Sequence, residues 1–101
     1  MSKHYSLLFL WSKGASTRRK ILKIIARQQE LQKPVYISEI TKHYNDSLKN
    51  GEHSVTNSSI RKHIKVLKEY NLIRPINEGG RPEYLELSDE GNFILQKLKS
   101  I

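Results

Sequence analysis

The side chains of this 101-residue chain that could do chemistry are 18 lysines and arginines, ten acids and four histidines, with no cysteine. Without a thiol there is no Cys nucleophile, no thiolate zinc site and no disulfide. His4, His43, His53 and His63 fall on four different segments with no short ligand spacing, so no metal is expected. His63 reads instead as a partly buried packing residue of a helix. Glu83, Glu86, Asp89 and Glu90 cluster in sequence, but the first two flank a predicted strand. The last two suit a helix N-terminus, where negative charge meets the positive end of the dipole. They do not form an acid/base pair. No phosphate-cradling glycine loop or nucleophile elbow occurs. The reading is no enzyme and no cofactor. What remains is cationic chemistry, whose natural partner is a polyanion.

The positive charge is unevenly placed. The net charge is +8 and the sequence pI about 9.8. Residues 1–30 hold seven basic residues and one acid, Glu30, while residues 31–60 are neutral. Beyond them, Arg61, Lys62, Lys65 and Lys68 all precede the next acid. Basicity is concentrated in two short segments, and both read as helices.

Those helices need a core to stand on. With 37% hydrophobic residues and a mean hydropathy of -0.62, the chain can build one small core, residues 1–101 forming one domain. The longest apolar run, Leu7–Trp11, is five residues, against about 20 needed to cross a bilayer. It is also shorter than the ~7–15 residues of a signal-peptide core. A cytoplasmic protein without membrane contact is expected. Asn45-Asp46-Ser47 and Asn57-Ser58-Ser59 match a glycosylation pattern only by chance in that setting.

From Ser16, an expected cap, to about Gln32, Ile21, Leu22 and Ile25 share one helical face, opposite Arg19, Lys20, Lys23 and Arg27. Pro34 is expected to stop this helix. Val35–Ile37 reads as a brief strand and Ser38 as the cap of a second helix carrying Ile40, Tyr44 and Leu48. Polar residues 49–54 make a turn. Thr56 then opens a third helix with Ile60, Ile64 and Leu67 on one face and Arg61, Lys65 and Lys68 on the other. Asn71 stands where that helix should end, since asparagine tolerates a left-handed C-cap. Two short strands around Asn77–Pro82 make a hairpin, with Leu85 and Leu87 inward. Ser88 caps a last helix bearing Phe93, Ile94, Leu95, Leu98 and Ile101.

The order helix, strand, helix, turn, helix, hairpin, helix is mainly α with a small β component, and suggests a winged helix-turn-helix. A major groove ~12 Å wide accepts one helix, provided that helix is apolar behind and polar or basic in front. The third helix meets that requirement. The stretch Val55-Thr-Asn-Ser-Ser-Ile-Arg-Lys-His-Ile-Lys-Val-Leu-Lys-Glu-Tyr-Asn-Leu-Ile73 resembles the recognition helix of winged-helix repressors of the ArsR and MarR type. Gly79-Gly-Arg-Pro-Glu-Tyr-Leu-Glu-Leu-Ser-Asp-Glu-Gly91 is similar to their wing and the following helix start, and Thr17–Ile25 resembles their first core helix. Small versions from archaea and their viruses are the nearest in character. Asn71 replaces the glycine usual in that family, and the turn before Thr56 is longer than in a tight helix-turn-helix. The cysteines of the metal-sensing members are absent.

The resemblance implies a transcription regulator acting on double-stranded DNA, with recognition helix 56–70 in the major groove and wing 76–84 on the minor groove or backbone. Asn57, Ser58, Arg61, Lys62 and Lys65 become groove-facing positions and Arg81 the wing-tip residue, with Lys62 and Lys68 contacting phosphates. Leu7, Leu8, Phe9 and Trp11 near the start, with Phe93, Ile94 and Leu98 near the end, are expected to form a homodimer interface. The alternative is a winged helix serving as a protein-interaction module in a larger assembly. Neither the operator, the sign of regulation nor any small-molecule effector is legible.

Overall fold

The computed structural model describes residues 15–99. Helices α1 (Ala15–Glu30), α2 (Ile37–Asp46) and α3 (Asn57–Glu69) precede strands β1 (Ile73–Pro75) and β2 (Leu85–Leu87), and α4 (Asp89–Lys99) follows. This is a winged helix, as its sequence order implies.

Local chemistry explains most boundaries. In α1 the buried positions Ala15, Arg18, Ile21, Leu22, Ile25 and Gln28 recur at helical spacing. Ser16 lies inside this helix rather than capping it, because the helix already includes Ala15. Nor does Pro34 end it. Gln32 adopts a left-handed φ of 56°, and the amides of Gln32 and Lys33 bond back to the carbonyls of Gln29 and Gln28 at 3.0 and 2.9 Å. That paired closure satisfies the last carbonyls before the proline is reached.

Two further expectations fail at the start of α2. Its cap position is Tyr36, whose side chain makes no capping bond, and Ser38 is already helical. Val35–Ile37 is not a strand, because Ile37 turns directly into the helix. One backbone bond still joins this segment to the hairpin, from the Leu85 amide to the Val35 carbonyl at 2.9 Å.

At α3 the expectations hold. The Thr56 hydroxyl accepts from the Ser59 amide at 3.1 Å. Asn71, with φ 60°, closes the far end as the amides of Asn71 and Leu72 reach Lys68 and Leu67 at 2.9 and 3.0 Å. Between α2 and α3 the long turn is pinned by one side chain. The Asn45 carbonyl oxygen accepts from the Val55 amide at 2.8 Å, and its amide donates to the Val55 carbonyl at 3.0 Å. This two-point pairing fixes how α3 leaves α2, an angle that turn length alone left open.

β1 and β2 are antiparallel, with Ile73 opposite Leu87 and Arg74 opposite Glu86. Arg74 and Glu86 form an ion pair at 2.7 Å across the outer face. Ser88 caps α4 by accepting from the Gly91 amide at 2.9 Å. α4 packs on α1 and β2, while α3 packs on α2 and β1. The shared core contains Ile21, Leu22 and Ile25, Ile40 and Tyr44, Ile60, Ile64 and Leu67, the strand residues Ile73, Leu85 and Leu87, and Ile94 with Leu95. Ile94 is fully buried in the folded chain, so it is a core residue and not an interface residue. No helix among the described residues is long and apolar enough to cross a membrane.

Candidate nucleic-acid interface

The sidedness of α3 is complete. Ile60, Ile64 and Leu67 are at most 2% exposed, whereas Asn57, Ser58, Arg61, Lys62 and Lys65 are all exposed. No acid lies from residue 53 to residue 68. Packing of the apolar row against α2 and β1 therefore turns a continuous polar and basic surface to solvent.

The wing bends toward the same side. Its tip rests on Asn77, whose side-chain carbonyl accepts from the Tyr84 amide at 2.6 Å and whose amide donates to the Pro82 carbonyl at 3.2 Å. Gly80 bonds back to the Asn77 carbonyl at 2.8 Å, so close that a side chain at Gly80 would collide with Asn77. Arg81 is exposed at the tip. Between the wing, α3 and the start of α2 runs an open cleft of about 520 Å³, into which Arg61, Lys65, Lys68 and Arg81 all contribute. Asn57, Ser58 and Lys62 lie on the exposed surface of α3 outside the lining of this cleft.

Lys68 differs from the other cations. Its Nζ is hydrogen-bonded to a Glu83 carboxylate oxygen, and the second carboxylate oxygen accepts from the Gly79 amide at 3.1 Å. The Lys68 bond, aided by that amide and opposed by partial burial, holds the Glu83 carboxyl below its ordinary range. Glu83 and Glu86 are thus each partnered by a basic side chain, Lys68 and Arg74.

Behind α3, His63 is half-buried, and both burial and the neighbouring positive charge of Arg18 push its pKa down. Sequence reasoning placed His63 correctly and missed Arg18, although Arg18 falls in helical register with Leu22 and Ile25. On α1, Lys23 and Arg27 are exposed, and Lys20 sits over the Tyr44 ring at 4.5 Å. The Arg27–Glu30 contact, 3.9 Å long and well exposed, is weak. The tethering roles of Asn45, Asn77 and Glu83 were also missed. Each acts on a residue brought near by the fold or on irregular backbone, where no periodicity marks it.

Of the expected interface residues, Phe93 is 37% exposed and carries Lys97 over its ring at 5.2 Å. Leu98 packs partly on the core. Leu7, Leu8, Phe9 and Trp11 lie outside the described residues.

No family profile matches the chain, and no curated protein sequence matches it. Among solved structures, the AF1382 protein of Archaeoglobus fulgidus aligns with a TM-score of 0.68 at 25% identity, over 92% of this chain and 89% of that one. A possible transcriptional regulator for arsenical resistance aligns with a TM-score of 0.56 at 22% identity, over 84% and 73% of the two chains. These likenesses are of fold.

Proposed function

We propose that this chain is a cytoplasmic, sequence-specific regulator of transcription that binds double-stranded DNA, of the ArsR/MarR kind. The observation that carries this reading is the convergence of the exposed basic face of α3 with Arg81 of the wing around one open cleft. The apolar back of α3 fixes it as a rigid probe, and rigid elements place side chains better than loops do. Asn57, Ser58, Arg61 and Lys65 read base edges in the major groove, and Arg81 reaches the adjacent minor groove. Lys62 and the helix N-termini contact phosphates, with Lys68 at the edge of the same surface. The structural likeness to a possible transcriptional regulator is consistent with this reading.

The regulator acts as a homodimer, through Phe93 and Leu98 of α4 together with the apolar run Leu7–Trp11, and spans two half-sites about 34 Å apart. The decisive experiment is a duplex-binding titration across salt. With roughly six phosphates neutralised per site, log K should fall against log salt with a slope near −5. Absence of duplex affinity at low salt overturns the proposal. Selection from random duplex pools then yields the operator.

A further inference from the structure

Among the charged residues lining the cleft, Glu83 is the single acid against Arg61, Lys65, Lys68 and Arg81. An acid in a surface that meets phosphates costs affinity, so its position requires a compensating role. Its geometry supplies one. Lys68 lies in the last turn of α3, while Gly79 and Glu83 bracket Arg81 in the wing. With one carboxylate oxygen on Lys68 and the other on the Gly79 amide, Glu83 ties the recognition helix to both arms of the wing tip.

Exposed ion pairs between neighbours on one helix contribute little. This pair is of a different kind. It joins two elements fifteen residues apart in sequence, and its side chains are only 33% and 25% exposed. We infer that Glu83 is a specificity-determining positioning residue: it seats the wing on α3 and withholds Lys68 from the phosphates, so that contacts to bases outweigh contacts to backbone. This inference rests on the DNA-binding reading above.

The consequence is counter-intuitive, since removing an acid from a DNA-binding surface usually improves the protein. Glu83→Gln keeps the shape but frees Lys68. Affinity for any duplex should rise, by up to about eightfold at 0.1 M salt if binding at 1 M is unchanged, and the salt slope should steepen by about 0.9. Preference for the selected operator over random duplex should fall, because Arg81 is no longer held in register with α3. The double variant Lys68→Gln/Glu83→Gln should also lower that preference, yet leave the slope unchanged, because it removes a pair whose charges already cancel in the free protein.

The experiment measures salt-dependent binding of operator and random duplexes by the intact protein and both variants. Amide exchange at Gly79 is followed without DNA, and it should accelerate in Glu83→Ala, which removes both acceptor oxygens. A slope that does not steepen in Glu83→Gln, a slope that flattens by about 0.9 in the double variant, or a Gly79 amide indifferent to Glu83→Ala overturns the inference. Failure of the unaltered protein to bind any duplex sinks the DNA reading and this inference together. Binding with an indifferent Glu83→Gln sinks this inference alone.

Discussion

Arg61 and His63 stand two positions apart on α3 and meet opposite environments. Arg61 is exposed on the cleft, where a guanidinium can form paired hydrogen bonds with a base edge. Arg61→Ala should weaken operator binding by about 1–3 kcal/mol and flatten the preference at one base position. Binding to a panel of single-base operator variants measures this. Uniform weakening across the panel would instead make Arg61 a phosphate ligand. His63 faces inward, and burial beside Arg18 depresses its pKa in the folded state. An unfolded chain therefore takes up this proton at a higher pH than the folded one does. Below about 6.5 the unfolded state gains protons that the folded state refuses. Stability should accordingly fall as pH drops through 6.5 and level off once the folded form also protonates. Thermal melts from pH 7.5 to 5 should show this decline, and His63→Gln should make the profile flatter. An equally steep profile in the variant would remove His63 as its cause.

At the scale of elements, two helices end by the same closure with different residues. Asn71 at the end of α3 was foreseeable, because a left-handed residue there is commonly glycine or asparagine. Gln32 at the end of α1 was not, since glutamine has no such preference and Pro34 nearby offered a simpler stop. Capping shows the same divide. Thr56 and Ser88 were legible because each begins an apolar-periodic run and bonds an amide three residues on. Ser16 and Ser38 match that pattern in sequence, yet both lie inside helices that begin earlier. Gly91 reveals a constraint between elements. A methyl group there would collide with the Leu72 carbonyl oxygen, so α4 meets the start of the hairpin through bare backbone. Gly91→Ala should destabilise the protein by about 1–3 kcal/mol, lowering the midpoint of thermal unfolding by several degrees or more. A melt matching the unaltered protein would show that α4 shifts at no cost.

For the molecule as a whole the predictions concern assembly. Ile94 was expected at the interface with Phe93 and Leu98, but it completes the core of its own chain. Phe93, at 37% exposure, and the half-buried Leu98 remain on α4 as candidates. A homodimer joined by them and by Leu7–Trp11 should sediment as twice 11.8 kDa at micromolar concentration. Phe93→Lys should shift it toward monomer and weaken binding to a two-half-site operator far more than to one half-site, because the second site then no longer binds in effect intramolecularly. A protein that is monomeric at that concentration overturns the dimer and leaves the single-site reading of α3 intact.

The helices, the hairpin and the basic face of α3 are legible in the order of residues, because each rests on periodicity or on capping within a few neighbouring residues. Placing Ile60, Ile64 and Leu67 at helical spacing was enough to send Arg61 and Lys65 outward. Tertiary structure alone decided what couples those pieces. Asn45 reaches ten residues along the chain to Val55, and Lys68 reaches fifteen to Glu83. No local pattern encodes such distances. They arise when packing of the apolar faces brings separate segments together, and only then does Lys68 turn from one more positive charge into the anchor of the wing.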